Sequence, residues 1–377
     1  MTDGLINIIH KLRIPKVILR FIMMNFLDLS AINNLLLTVK EMNVLDNYSK
    51  DLIVQAKKGF IWNCENGHLT VAKWLYWSSG IGNVDIHADN ERAFRFSCEY
   101  GQLAVAKWLY SLGRVNIHAD NEYAFIFSCR NGHLTVAEWL YSIGNVNIHA
   151  ANEHAFILSC ANGYLTVAKW LYDLGVDIHA ANYNAFILSC RNGHLAIAQW
   201  LYSLGGVNIH AGVESAFSAS CQNGHLIVAK WIYSLGGVSI HVGGDIIFQK
   251  SCKNGHLATV KWLYSLGRVN IHANSEEAFR LSCRNGQLTV AEWLYSLGEG
   301  MDRTDPYSLA RQGQGRVNIH ADNEYAFKRS CVNGHLTVAQ WLYSLGGINI
   351  NDSIKYITRF SRYINKDIQD WLNGLMA

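Results

Sequence analysis

Charge is scarce in this sequence. Only 16% of its 377 residues are Asp, Glu, Lys or Arg, and 32 basic against 29 acidic side chains leave a formal net charge of +3. So small an excess does not by itself point to nucleic acid or an anionic membrane, and any electrostatic argument has to be local. Long uninterrupted apolar runs are missing too. The apolar stretch from Leu5 to Leu29 is broken by Lys11, Arg13, Lys16 and Arg20, so neither a membrane span nor the core of a secretory signal fits. A soluble, intracellular chain is expected, without contact to a membrane. Catalytic wording is absent as well: there is no phosphate loop, Gly-x-Ser-x-Gly elbow, His-Glu-x-x-His helix or calcium loop. Neither an enzyme nor a cofactor is therefore expected. What the chain has in quantity is apolar side chains, half of all residues, enough for a continuous core and no basis for disorder.

The cysteines show how that core is organised. All nine fall at near-constant spacing, 34, 31, 31, 30, 31, 31, 31 and 48 residues apart from Cys64 to Cys331. A Phe stands four residues before each, from Phe60 to Phe327, and a Trp ten residues after each, from Trp74 to Trp341. Nine copies of one unit follow, in which each copy buries its core only against its neighbours.

The copy from Asn121 to Ala150 contains two helical patterns. In the first, Ala124, Phe127 and Ser128 share a face, Asn121 suits an N-cap, Glu122 suits the positive helix start, and Asn131-Gly132 ends the run. In the second, Val136, Trp139, Leu140 and Ile143 share a face, and Gly144 stands where a left-handed C-terminal cap favours a residue lacking Cβ. Small Ala, Ser and Cys opposite bulky Trp, Leu and Tyr allow close packing of the pair. Val146 to Ala150 alternates as an extended loop or hairpin finger.

Cys-x-Asn-Gly-His recurs, for example at Cys129/His133 and Cys190/His194, and invites a zinc reading. Gln102, Tyr164 and Gln287 replace the His in three units and no second Cys lies near, so no metal is expected. Cysteines one repeat apart would stand ~8 to 10 Å from each other, too far for a disulfide. They read as buried reduced thiols of a reducing compartment. The Ile-His pairs from His87 to His320 read as finger-base side chains bonded to backbone.

These units resemble the ankyrin repeat. Its Thr-Pro-Leu-His-x-Ala-Ala segment falls on Tyr123 to Cys129, its Gly-His-Leu on Gly132 to Leu134, and its finger on Val146 to Ala150. The repeat is two residues short of the family's usual length, and Ala replaces its helix-starting Pro in most units. The wording Gly-His-Leu-Thr-Val-Ala-Lys-Trp-Leu-Tyr-Ser-Leu-Gly resembles arrays encoded by giant DNA viruses of amoebae, which would place the chain in a host cytoplasm. The resemblance implies an all-α, ankyrin-type repeat solenoid of helix-turn-helix-finger units, a monomer that binds a protein partner in a concave groove formed by the first helices and the fingers. Positions that packing does not dictate are free to carry specificity there. On that basis the groove holds a basic stripe of Arg95, Arg130, Arg191, Lys253, Arg280, Arg284 and Lys328. Beside it run an isoleucine row, Ile126, Ile157 and Ile187, and the rings of Tyr123 and Tyr325. Glu122, Glu153, Glu276 and Glu324 would form an acidic rim. Clustered Lys and Arg are too few to favour nucleic acid.

The repeats occupy residues 51–350, with an insertion at 299–315 that accounts for the long last spacing and reads as a tolerated surface loop. Residues 351–377 read as a degenerate capping repeat, with Lys355, Arg359, Arg362 and Lys366 where other units are small or apolar.

Residues 1–50 lack the repeat and carry helical apolar spacing, which predicts a small helical segment. The segment resembles an F-box through Ile14-Pro15, Ile18-Leu19, Phe26-Leu27-Asp28-Leu29 and Thr38-Val39-Lys40, although Val17 replaces the usual acid and Met42 the usual aromatic. The resemblance implies docking of a Skp-type adaptor of a cullin ubiquitin ligase through Ile14, Pro15, Ile18, Leu19, Ile22 and Phe26, continued by Leu27, Leu29, Ile32, Leu36 and Val39. The groove would then read the substrate. A hydrophobic cap for the first repeat, leaving a plain scaffold, is the alternative.

Overall fold

The computed structural model describes residues 59–77, 84–205, 212–238, 245–267, 269–297, 316–360 and 364–376. The F-box-like segment at 1–50 and the insertion at 299–315 lie outside the described residues. Among the described residues there are twenty helices and no strand. The chain divides into two compact units, Met1–Ala181 and Asn182–Ala377.

In the first unit the helices come as consecutive pairs: α1 (Phe60–Glu65) with α2 (Leu69–Trp77), α3 (Ala88–Glu99) with α4 (Leu103–Ser111), α5 (Ala119–Arg130) with α6 (Leu134–Ile143), and α7 (Ala150–Ala161) with α8 (Leu165–Asp173). The second unit takes up α9 (Ala180–Arg191) from its third residue, pairs it with α10 (Leu195–Ser203), and continues with α11 (Glu214–Gln222) and α12 (Leu226–Ser234). There follow α13 (Ile246–Lys253) with α14 (Leu257–Ser265), α15 (Ala273–Arg284) with α16 (Leu288–Ser296), α17 (Ala321–Val332) with α18 (Leu336–Ser344), and α19 (Ile350–Thr358) with α20 (Lys366–Met376).

Each pair buries a narrow seam. In α5 the buried face is Ala124, Phe125, Ser128 and Cys129, while Phe127 points away from it and is half-exposed. Ala124 and Ser128 lie on the expected face, but Phe125 rather than Phe127 supplies its ring. A short helix with apolar residues at both 125 and 127 satisfies helical spacing on two faces, and the small residues decide which one can meet the second helix closely. The Ser128 hydroxyl, buried in that seam, donates to the Phe125 carbonyl at 2.8 Å and so avoids an unmade hydrogen bond. Val136, Ala137 and Leu140 form the buried face of α6.

Neighbouring pairs are joined mainly through rings. The Trp170 indole meets Phe125 at 6.1 Å and the edge of Tyr141 at 5.9 Å, both from the preceding repeat. Trp139 meets Phe94 and Tyr110, Trp262 meets Phe217 and Tyr233, and Trp341 meets Phe279 and Tyr295 in the same way. Trp371, in α20, meets Phe327 and Tyr343 likewise. Edge-to-face ring pairs add ~0.5 to 1.5 kcal/mol each beyond the area they bury, so the recurring Phe, Trp and Tyr are explained by stacking of repeat on repeat.

The Asn-Gly pair serves the same interface. Asn131 donates its side-chain amide to the Glu99 carbonyl at 2.8 Å, and Asn162 to that of Arg130 at 2.9 Å, so each satisfies an orphan carbonyl at the C-terminal end of the preceding first helix. The glycine, kept in the unit where Tyr100 replaces the Asn, has two reasons. Gly101 has φ +75°, and a Cβ there would lie 2.6 Å from Nδ1 of His133, the ring of the next repeat that packs across it.

Three local expectations change. The fingers are tight turns rather than hairpins among the described residues, because they run directly into the next helix. Asn121 does not cap α5: Asp120, Asn121 and Glu122 have φ of 58°, 54° and 64°, a left-handed turn that precedes the right-handed helix. Gly144 is extended, at φ −172°, and lies against the Ile117 side chain, whereas Gly113 and Gly175 do take the left-handed cap, at φ 90° and 96°.

Candidate functional site

A left-handed turn of three residues costs ~1 to 2 kcal/mol per non-glycine residue, so something must hold it. The support is a carboxylate. Glu122 sits at the end of the turn, 7% exposed, and its Oε1 lies 2.8 Å from Nδ1 of His118 and accepts the Asn147 backbone N–H of the next repeat at 3.2 Å. The arrangement recurs with Glu91 (His87, Asn116), Glu153 (His149, Asp177) and Glu276 (His272, Asn318). Glu324 keeps the histidine contact, to His320 at 2.9 Å. In the one unit with Asp at this position, Asp245 accepts the Asn270 N–H at 3.0 Å. Glu122, Glu153, Glu276 and Glu324 are therefore interior struts, not an acidic rim. The histidines bond these carboxylates, while an Asn or Asp two residues earlier accepts the His backbone N–H, as Asn116 does from His118 at 3.0 Å. The constant His-x-x-x-Glu spacing was the available signal.

Two arginines of the expected stripe are also used between repeats. Arg95 donates to the Asn90 carbonyl at 2.7 Å and the Asp89 carbonyl at 3.0 Å, bridges to Asp120 of the next repeat at 2.7 Å, and lies over the Tyr123 ring. Arg280 repeats this with the Asn274 carbonyl, Asp322 and the Tyr325 ring. Arginine after the Phe thus pairs with an Asp and a Tyr in the following unit. Lys328 is 4% exposed, bonded to Asp352 at 2.9 Å and set over Tyr356, so it too is withdrawn from the face. Ile126 and Ile157 are buried, because the position after Phe packs under the next turn; Ile187 is half-exposed.

What remains open on the first helices lies nearer their C-terminal ends. Arg130, Arg191, Lys253 and Arg284 are exposed. Tyr123 and Tyr325 are half-buried: Tyr123 donates to Glu99 Oε2 at 2.6 Å, and the Tyr325 hydroxyl accepts from Arg284 at 3.1 Å. The Tyr123 phenol is held well above its usual range, first by burial and then by its carboxylate partner.

In the first unit the rings form a stack. Tyr123 lies on Phe127 at 4.0 Å and beside Phe96 at 6.2 Å; Phe96 meets the edge of Tyr100, which is 51% exposed. Arg92 covers the Phe96 ring and Arg130 the Phe127 ring. Phe96, Phe127 and Tyr100 were missed in the sequence. The position two before each Cys reads Trp62, Phe96, Phe127, Leu158, Leu188, Ala219, Lys250, Leu281 and Arg329, a variation that would have exposed it as unconstrained by packing.

All nine thiols are free and buried. Burial pushes Cys64, Cys190, Cys221 and Cys331 up to about 12 and raises the other five as well. The histidine after Asn-Gly is packed over glycine rather than aimed at the cysteine, and burial holds His133 and His225 below the usual imidazole range. Among the described residues no three His, Cys, Asp or Glu side chains cluster in a way that could hold a metal, and no helix is long and apolar enough to cross a membrane.

The model of the family described as ankyrin repeats (3 copies) matches residues 98–182 and 125–213, so this stretch consists of ankyrin repeats. Among solved structures the chain is similar to the human ASB11 ankyrin repeat domain, with 18% identity, 50% of this chain and 90% of that chain covered, and a TM-score of 0.39. Comparison with curated proteins gives no match.

Proposed function

We propose that this chain is a non-catalytic interaction protein whose ankyrin array holds a protein partner on the face of its first helices. One observation supports the reading: the residues that keep one place from unit to unit are used in stacking, and the exposed residues on the first helices, chiefly those just after each Cys, are ones that vary. Among the described residues Phe and Cys in every unit, and Ser, Asn-Gly and Trp-Leu-Tyr in all units but one each, make contacts inside or between repeats. Arg191 and Lys253 are exposed and form no ion pair among the described residues, while Tyr100, Arg130 and Arg284 stay exposed beside one contact each, with the Phe96 ring, the Phe127 ring and the Tyr325 hydroxyl. Aromatic and arginine side chains are also the residues that most often dominate binding energy, and the Phe96, Tyr123 and Phe127 rings are already ordered by one another, which lowers the entropy lost on binding.

Nine buried, unpaired thiols fit a reducing compartment, and the wording of the repeats fits a host cytoplasm if the source is viral. The F-box-like segment extends the reading. Docked on a Skp-type adaptor through Ile18, Leu19, Leu27 and their neighbours, the chain would present a substrate to a cullin-type ubiquitin ligase. Size-exclusion chromatography of the full chain mixed with such an adaptor tests this, beside a Leu19→Asp, Leu27→Asp variant with unchanged circular dichroism. Co-elution of the unmutated chain alone supports a ligase receptor; no complex with a well-folded chain leaves a scaffold with an N-terminal cap.

A further inference from the structure

In the second unit charge is segregated along the first helices. The acidic side chains of α9, α11, α13 and α15, namely Glu214, Glu276 and Glu277, stand at their N-terminal ends, whereas the C-terminal ends carry Arg191, Gln222, Lys250, Lys253 and Arg284. Arg191, Lys250 and Lys253 are exposed and form no ion pair among the described residues. Each helix C-terminus contributes roughly half a negative elementary charge, so four cations over four helix ends leave a net excess of roughly two positive charges. Packing does not require a cation after the Cys, since Glu65, Glu99, Ala161 and Val332 hold that place elsewhere.

Apolar surface interleaves with this charge. Leu188 and Leu281, both half-exposed, stand three residues before Arg191 and Arg284 and so share their helix face. The phenylalanines of these helices, Phe186, Phe217, Phe248 and Phe279, are buried, and the C-terminal ends hold no other ring for a base to stack on.

We propose that this face takes an acidic peptide segment that carries aliphatic side chains, its carboxylates on Arg191, Lys250, Lys253 and Arg284 and its aliphatic residues against Leu188 and Leu281. The proposal rests on the first-helix face being the binding face, and it adds the chemistry of the occupant. An exposed guanidinium, that of Arg191 or that of Arg284 beside its single hydrogen bond to Tyr325, can engage a carboxylate bidentately, and the lysines add point charge.

The test is selection from a random-peptide display library on the immobilised full chain. Selected peptides are then measured by fluorescence anisotropy against the chain and an Arg191→Glu, Lys250→Glu, Lys253→Glu variant, with hydrogen exchange mapping the protected helices. Supporting results are enrichment in Asp and Glu beside Leu or Ile, protection at the C-terminal ends of α9, α13 and α15, and at least a tenfold loss of affinity in a variant with unchanged exchange in its core. Peptides that protect the first helices but are neutral or basic overturn the acidic-peptide proposal and leave the face reading standing. Protection confined to the second helices overturns both. Failure to recover any peptide, or tighter binding of an oligothymidylate of equal charge than of the best peptide, also overturns the proposal.

Discussion

Replacing Glu122 with alanine removes the carboxylate that holds one repeat to the next. In the native chain it accepts from the Asn147 N–H at 3.2 Å and contacts His118 Nδ1 at 2.8 Å, and the left-handed turn at Asp120–Glu122 depends on both. A hydrogen bond to an ionised partner contributes about 1.5 to 3 kcal/mol when buried. The His118 side chain is 45% exposed, so its share is screened by solvent and the N–H bond dominates. The expected loss is about 2 kcal/mol at the junction of α5 and α7. Because a repeat array opens locally, amide hydrogen exchange across Asn147–Ala150 is the right assay, and about 2 kcal/mol corresponds to ~30-fold faster exchange there. Glu122→Gln, which keeps an acceptor oxygen, should recover part of the protection. An exposed rim residue would leave exchange unchanged; protection within about twofold of the native chain in Glu122→Ala would refute the strut and return Glu122 to the surface.

Trp170→Ala removes an indole held between Phe125 and Tyr141 and should cost about 3 kcal/mol, the lower end for a large ring since Trp170 is only half-buried, read by urea unfolding of the first unit. Gly101→Ala forces a Cβ into left-handed backbone against His133 and should destabilise by more than about 1 kcal/mol in the same assay. Thiols pushed up by burial stay protonated in the folded chain while those of the unfolded chain ionise above about pH 8.5, so stability is complete below that pH and falls as pH rises, by about 1.4 kcal/mol per thiol per pH unit. Urea midpoints that do not fall between pH 8 and 10 would contradict it. Ellman's reagent should find no reactive thiol at pH 7.5 in the described residues of the folded chain and all of them in denaturant.

The helix pairs were legible because Phe, Cys and Trp each keep one place in every copy, and a repeat magnifies a pattern that a single copy would blur. The site was legible in part. Arg130, Arg191, Lys253 and Arg284 stand open at the variable position after Cys, as their variation implied, while Arg95, Arg280 and Lys328 vary just as much yet bond to the following unit. Variation alone cannot separate these two cases; only pairing with Asp120, Asp322 and Asp352 in the next repeat does, and such pairing is invisible until the register between neighbours is known. Glu122 was misplaced for a related reason: an acid in a first helical turn ordinarily faces solvent, and its burial follows from the left-handed turn that brings it under the next repeat.

The claim that the first-helix face is the reader is tested most directly by a partner isolated with the full chain and titrated against two variants of equal stability. One carries Tyr100→Ala and Arg130→Glu on the first helices, the other Glu138→Lys and Lys169→Glu, which are exposed on α6 and α8. Loss of at least tenfold in affinity in the first variant only is the expected result. Retention there with loss in the second would place the partner on the second helices and contradict the account.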